Sequence, residues 1–275
     1  MKILIIGCGM MGSWFADFFA RHGHKLYFYD VNKRSALILQ RKNYGTALPS
    51  LSKLPEIDGV LVSVPIRETG KIIRNLSKLL DTDNFIIEIS SFKGPIWKDV
   101  VKARQRGILC ISIHPLFGPG KKDLKNSCTV HVKPSDLRSE RMILRRLLDG
   151  TRFVTMSPKE HDSAMGIAIS LTHLVGVSFG STLVKLGYDA PLTKSLSTAL
   201  SLIAISYSEP ISFYSKEVLY NKYSLISYNL FMKEFLSFVK ERDIVKIIKK
   251  LKNVRSYLGK RYKISRIYKE IYSTD

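Results

Sequence analysis

The chain has 275 residues, 45% of them hydrophobic and 10% aromatic, a size and composition that suit one large globular domain or two modest ones and exclude a disordered chain. Lys and Arg number 44 against 23 Asp and Glu, a formal net charge of +21 that would serve nucleic acid or acidic metabolites without choosing between them. Cys8, Cys110 and Cys128 are odd in number and lack metal-ligand spacing, so neither a disulfide framework nor a metal site is expected.

No apolar run is read as approaching the roughly 20 residues of a membrane span, and glycines interrupt the N-terminus where a signal peptide would be continuous. The expectation is a soluble, cytoplasmic protein with no membrane contact.

In chain order, "KILIIG", "KLYFYD", "GVLVSVP", "FIIEIS", "GILCISIHP" and "CTVHVKP" each hold several apolar or β-branched residues and stop at Gly, Asp, Pro or Ser, the pattern of buried parallel strands. Helix-period stretches such as "GSWFADFFARHG" and "TGKIIRNLSKLL" lie between them. The alternation predicts an α/β fold with a doubly wound, Rossmann-type sheet.

From about Thr155 no further strand is expected. "KEHDSAMGIAISLTHLVGVSFGSTLVKLG" reads as one long, largely buried helix with Ala164, Ile167, Leu171, Leu174 and Val175 on its apolar face, while Gly166, Gly176 and Gly180 admit a close neighbour. The C-terminal stretch repeats apolar residues such as Phe235, Val239, Ile244, Ile248 and Leu251 at helical spacing, which places its lysines on a solvated face and disfavours a nucleic-acid surface. The domains are therefore read as 1–156, dinucleotide-binding, and 157–275, all-helical.

Gly7, Gly9 and Gly12 have G-x-G-x-x-G spacing directly after the first strand. This is the arrangement in which a tight turn, a close phosphate approach and close helix–strand packing each need a missing side chain. Cys8, Met10 and Met11 lie among these glycines and join them as candidate cofactor contacts. Asp30 ends the second strand, where a carboxylate accepts hydrogen bonds from ribose hydroxyls and repels a 2′-phosphate, so NAD is favoured over NADP; Lys33 and Arg34 would soften that repulsion. Val64 and Pro65 end the next strong strand beside the expected nicotinamide position, and Pro65 could equally be just the end of a strand.

Ser90, Ser91 and Lys93 follow another strand on the ligand-binding side of such a sheet, where they could also cap a helix. His114 ends the strand after that. A neutral imidazole there can take a proton from an alcohol whose carbon loses hydride, although a histidine ending a strand can also be structural. His22, His24 and His131 are read as surface or loop residues.

The segments "GCGMMGSWF", "VSVPI", "SSFKG", "HPLFGPG", "SPKEHDSAMGIAISLTH" and "SEP" together resemble the prephenate and arogenate dehydrogenases of tyrosine biosynthesis. The resemblance implies NAD-linked oxidative decarboxylation of prephenate or arogenate, with His114 as the catalytic histidine, Ser91 as its partner and His173 as a substrate ligand. It also implies a homodimer formed through the helical domain. His161 and Asp162 match a recurrent pair at the start of the long helix, where the helix dipole alone would favour the Asp.

One position departs from the pattern. The family's carboxylate-binding arginine would stand six residues before Pro210, and Ala204 is there instead. Lys93, Lys122, Lys194 or Lys216 could supply the charge, Lys93 and Lys122 being the first choices, or the substrate could differ. The chain is read as a stand-alone dehydrogenase without a regulatory module or a mutase bundle. The alternatives are a β-hydroxyacid or pyrroline-carboxylate type of oxidoreductase, or a basic NAD-binding regulator without catalysis.

Overall fold

The computed structural model describes residues 1–187, 193–209, 213–219 and 221–273. They form two compact units, Met1–Ala164 and Met165–Asp275.

The first unit is built on eight strands: β1 (Lys2–Ile6), β2 (Lys25–Tyr29), β3 (Thr46–Ala47), β4 (Gly59–Val62), β5 (Phe85–Glu88), β6 (Leu109–Pro115), β7 (Cys128–Val132) and β8 (Arg152–Met156). Their spatial order is β3-β2-β1-β4-β5-β6-β7-β8. All neighbours run parallel except β6 and β7, which pair antiparallel with His114 opposite Val130.

Successive side chains in a strand point to opposite faces, and the sequence uses both. Ile3 and Ile5 pack on one side with Phe15, Phe19 and Leu144, whereas Leu4 and Ile6 pack on the other with Ile73, Leu76 and Val100. The first face is covered by α1 (Met10–Arg21), α2 (Lys33–Arg41) and α5 (Leu137–Leu147), the second by α3 (Ile66–Leu79) and α4 (Trp97–Gln105). The sheet is thus doubly wound, as expected. The order in which strands are added reverses between β1 and β4, and in such sheets the crevice at that switch point, outside the carboxyl ends, is the place for a ligand.

Two strands carry no clear sequence signal. β3 has only two residues, and β8, "RFVTM", is a partly exposed edge strand without the solid apolar run that marks the central strands. His131 is a correction. It lies fully buried on β7, not on the surface, with Nε2 2.6 Å from Glu140.

The second unit is helical throughout its described residues. α6 (Pro158–Met165), which belongs to the first unit up to Ala164, leads through a π-helical segment (Gly166–Leu171) into α7 (Thr172–Leu186); then come α8 (Lys194–Ser208), α9 (Lys216–Leu219), α10 (Lys222–Lys240), α11 (Ile244–Tyr262) and α12 (Ile264–Ser273). The division at Ala164 falls eight residues after the boundary read from the sequence. The reason is chemical: His161 and Asp162, in the first turns of α6, bond to the sheet unit.

The long helix is there, and its glycines admit close neighbours as expected, but the apolar face is less buried than expected. Gly166, Ser170, His173, Gly176 and Gly180 are buried, whereas Ile167 is 59% exposed. A Cβ on Gly176 would stand 2.1 Å from Ser206 Oγ and 2.9 Å from the Leu202 carbonyl oxygen, so α7 and α8 touch almost backbone to backbone. By length and composition the Pro158–Leu186 helix is also apolar enough to cross a membrane, contrary to the expectation that no run was. Its buried stripe of small and polar residues nevertheless packs on α8 and α10 of its own unit.

Candidate active site

The glycine loop leaves β1 at Gly7, whose φ of +93° and whose would-be Cβ, 2.2 Å from the Ser63 carbonyl oxygen, both exclude a side chain. A Cβ on Gly12 would lie 1.9 Å from the Gly7 oxygen, which is how closely α1 approaches the loop. Gly9 differs: nothing stands within 4 Å of its missing Cβ. It is also the N-cap of α1 and offers no side-chain bond to the first-turn N–H groups, which leaves an open cradle of backbone donors at the positive end of a helix.

Cys8 serves the loop itself. Its amide donates to Asp30 Oδ2 at 2.7 Å, and burial, aided by the Asp30 charge, pushes its thiol up to about 12. Asp30 Oδ1 accepts from the Asn32 amide at 2.7 Å, so each carboxylate oxygen keeps a second lone pair for a ribose hydroxyl. Val64 adjoins Gly7 across the β1–β4 junction, and Pro65 stands at the start of α3. Met10 is 53% exposed beside the cradle, and Met11 packs on the core. The residues read as cofactor contacts are therefore gathered at one place.

A second assembly occupies the carboxyl ends of β5 and β6. Glu88 accepts from Lys93 Nζ at 2.7 Å and from the Ser90 amide at 2.8 Å, and also from the Ser112 hydroxyl. Lys93 Nζ donates again to the Ile113 carbonyl oxygen at 2.7 Å. Both charged side chains have no exposed surface. Burial draws the Lys93 ammonium below its ordinary range, and Glu88 opposes that shift. This corrects the reading of Lys93 as a substrate ligand, because its charge is turned inward and already partnered.

His114 is 8% exposed at the end of β6. Its Nδ1 lies 3.0 Å from His161 Nε2, and His161 Nδ1 lies 2.8 Å from Asp162 Oδ1. Asp162 is held in turn by the backbone amides of Lys93, at 2.8 Å to Oδ1, and of Gly94, at 2.7 Å to Oδ2. Burial first, then the neighbouring His161 and Lys93, hold His114 well below its ordinary value. Burial also lowers His161, with the Asp162 hydrogen bond acting against it. Both rings are accordingly neutral near pH 7, and His114 Nε2 makes no hydrogen bond among the described residues.

Ser91 is half-buried after β5, and its hydroxyl has no hydrogen bond among the described residues. Lys122 is exposed on the loop after β6. That loop is pinned to α1, since Trp14 Nε1 donates to the Lys121 carbonyl oxygen at 2.6 Å and the Trp14 and Phe117 ring centroids lie 4.9 Å apart.

His173 belongs to the second unit. It is buried with its ring 4.9 Å from that of Phe213 and 6.1 Å from that of Tyr214, and its Nδ1 has no partner among the described residues. Burial lowers its pKa. Ala204 is exposed on α8, and Pro210, from which its position was counted, lies outside the described residues.

Residues 15–131 match the family model for the nucleotide-binding domain of prephenate dehydrogenase. The matched segment runs from the first helix through the seventh strand of the sheet unit. A probable arogenate/prephenate dehydrogenase of Methanocaldococcus jannaschii is 23% identical over 284 residues, a match that takes in 97% of this chain and 63% of the relative, so the chain spans less than two thirds of that protein's length.

Among solved structures, prephenate dehydrogenase from Aquifex aeolicus, in complex with hydroxyphenyl propionate and NAD+, superposes with a TM-score of 0.71 at 22% identity over 94% of this chain and 98% of that one. Synechocystis arogenate dehydrogenase gives 0.69 at 18% identity over 95% and 100%. The prephenate dehydrogenase fold thus extends beyond the matched nucleotide-binding domain.

Sequence reasoning left His161 and Asp162 among helix-start residues. The "HD" pair was visible, but nothing in the sequence says that a residue 47 positions earlier meets it.

Proposed function

We propose that this chain is an NAD-linked dehydrogenase that oxidatively decarboxylates prephenate or arogenate. The observation that carries the reading is His114: a buried imidazole, held well below its ordinary pKa by that burial, at the carboxyl end of a sheet strand, with one ring nitrogen held by His161 and the other without a partner among the described residues, in a segment that matches the model for the nucleotide-binding domain of prephenate dehydrogenase.

The open cradle at Gly9 and the spare lone pairs of Asp30 fit a dinucleotide's pyrophosphate and ribose. NAD, when bound, supplies the hydride acceptor. His114 Nε2 takes the proton of the ring hydroxyl as its carbon gives up hydride. The ring carboxylate then departs as carbon dioxide, and the electron pair of the broken C–C bond restores the aromatic ring. His114 returns its proton to the oxygen, which leaves a phenol.

A carboxylate-rich substrate needs positive charge, and with Lys93 already partnered, Lys122 is the candidate in the first unit. Among the described residues the Ser91 hydroxyl and His173 Nδ1 have no hydrogen-bond partner, which supports reading them as the partner of His114 and a substrate ligand. The wide apolar faces that the helical unit leaves exposed support a homodimer in which a second copy covers them.

The experiment is a steady-state comparison of prephenate and arogenate with NAD and NADP, on the native chain and on His114→Asn. Turnover of one or both substrates with NAD is expected. The variant should lose about 10²–10⁴ in kcat, the usual cost of removing a general base, while retaining NAD affinity. Turnover only of a hydroxyacid or an imine would sink the reading, as would near-native kcat in His114→Asn.

A further inference from the structure

The ring contacts of His114, His161 and Asp162 form a directed chain, and its direction can be worked out from the donors. Asp162 accepts two backbone N–H groups, from Lys93 and Gly94, and these can only donate. Its Oδ1 therefore faces His161 Nδ1 as an acceptor, and that nitrogen must carry the hydrogen. In a neutral His161 the other nitrogen, Nε2, is then an acceptor, so His114 Nδ1 carries the hydrogen across the 3.0 Å contact. A neutral His114 with its hydrogen on Nδ1 keeps its lone pair on Nε2, the nitrogen without a partner.

We propose that His161, oriented by Asp162, is a positioning residue that fixes the tautomer of His114 and so leaves Nε2 as the proton acceptor. This rests on the reading of His114 as the base of a dehydrogenase, but the tautomer itself does not depend on substrate. Without the lock, a neutral imidazole distributes its hydrogen over both nitrogens, and the fraction carrying it on Nε2 cannot accept a proton there. The ring would also lose its orientation, since the two rings meet at 75° with centroids 5.1 Å apart. Asp162 serves a second purpose by satisfying the amides of the Lys93–Gly94 turn, so one carboxylate ties the end of β5 to the base on β6. The charged groups around the pair are Lys93 and Glu88, which neutralise each other, and Asp162.

The test compares His161→Gln with His161→Phe in the full chain. A glutamine amide can donate to Asp162 through its nitrogen and accept from His114 Nδ1–H through its oxygen, so it preserves the polarity of the chain; phenylalanine removes both bonds at similar volume. Nitrogen NMR of the histidine rings, without substrate, should show His114 of the native chain with its hydrogen on Nδ1. His161→Gln should keep that tautomer and a kcat within about tenfold of native. His161→Phe should mix the tautomers and lower kcat by about 10–100-fold, the scale of losing an orienting partner, with NAD affinity unchanged.

Activity should rise with pH as His114 becomes neutral. That acid limb should move downward in His161→Phe, where protonated His114 loses the acceptor on its Nδ1, and stay near its native place in His161→Gln, whose amide oxygen keeps that acceptor. A native His114 with its hydrogen on Nε2 would overturn the proposal even if His161→Phe failed to fold. So would a folded His161→Phe with unchanged tautomer and kcat. A chain with the expected tautomer that turned over neither prephenate nor arogenate would instead refute the proposed function and leave the lock standing.

Discussion

The two units handle burial in opposite ways. In Met1–Ala164 the apolar runs of the strands are buried on both faces of the sheet, and the polar side chains enclosed with them, Glu88 and Lys93 or His131 and Glu140, meet one another. In Met165–Asp275 the buried positions are mostly Gly and Ser, while Leu230, Phe231, Met232, Phe235 and Val239 of α10 and Ile244, Ile248, Leu251 and Val254 of α11 are exposed. No residue of α11 is buried. The first unit closes its own core. The second packs its helices through small residues and leaves large apolar side chains exposed.

The sharpest way to break this comparison is to remove one charge from the first unit. Lys93→Met leaves Glu88 enclosed without its cation, and breaking a buried pair in this way costs about 3–5 kcal/mol. Urea denaturation should show that loss, and the double variant Lys93→Met/Glu88→Gln should recover part of it. A Lys93→Met chain of native stability whose only defect was a raised KM for substrate would return Lys93 to the active site.

The comparison sharpens in the second unit if its exposed apolar residues are given charge. Phe231 and Phe235 stack with ring centroids 6.1 Å apart and are 36% and 52% exposed. Each such side chain, if a second copy covers it, is worth about 1.5–3 kcal/mol. Phe231→Asp/Phe235→Asp should therefore turn a dimer into a monomer at micromolar concentration in sedimentation equilibrium, with helix content retained. A native chain that sediments as a monomer would remove the second copy from the account.

These differences also explain what could be read from the sequence. The central strands were legible because parallel strands buried on both faces must be apolar throughout, and the glycine loop was legible because close approaches at Gly7 and Gly12 forbid a side chain while Gly9 keeps the cradle open. β8 was not, since an edge strand such as "RFVTM" needs no such run. The long helix was found, and Gly166, Gly176 and Gly180 admit the close neighbours expected of them, but its apolar face was misjudged: hydrophobicity predicts burial only when a chain completes its own core, and here Ile167 stayed exposed. Lys93 was misread for a similar reason, because its distance from Ser91 along the chain does not reveal which way its ammonium turns. His131 failed likewise, its partner Glu140 being supplied by the first turns of α5.

The smallest expected effect lies at Asp30, where local backbone and cofactor preference meet. Its carboxylate already accepts the Cys8 and Asn32 amides at 2.7 Å each, so it braces the glycine loop before any ribose arrives. A dinucleotide whose hydroxyls take the remaining lone pairs gains charge-assisted bonds of about 1.5–3 kcal/mol, whereas a 2′-phosphate would meet like charge. Asp30→Ser should therefore lower kcat/KM for NAD by about tenfold and narrow its advantage over NADP, at the cost of a modest fall in Tm from the freed loop amides. The two consequences separate by measurement: a variant that loses Tm but keeps its preference for NAD would make Asp30 a loop brace alone, and a native chain that already prefers NADP would overturn the cofactor reading altogether.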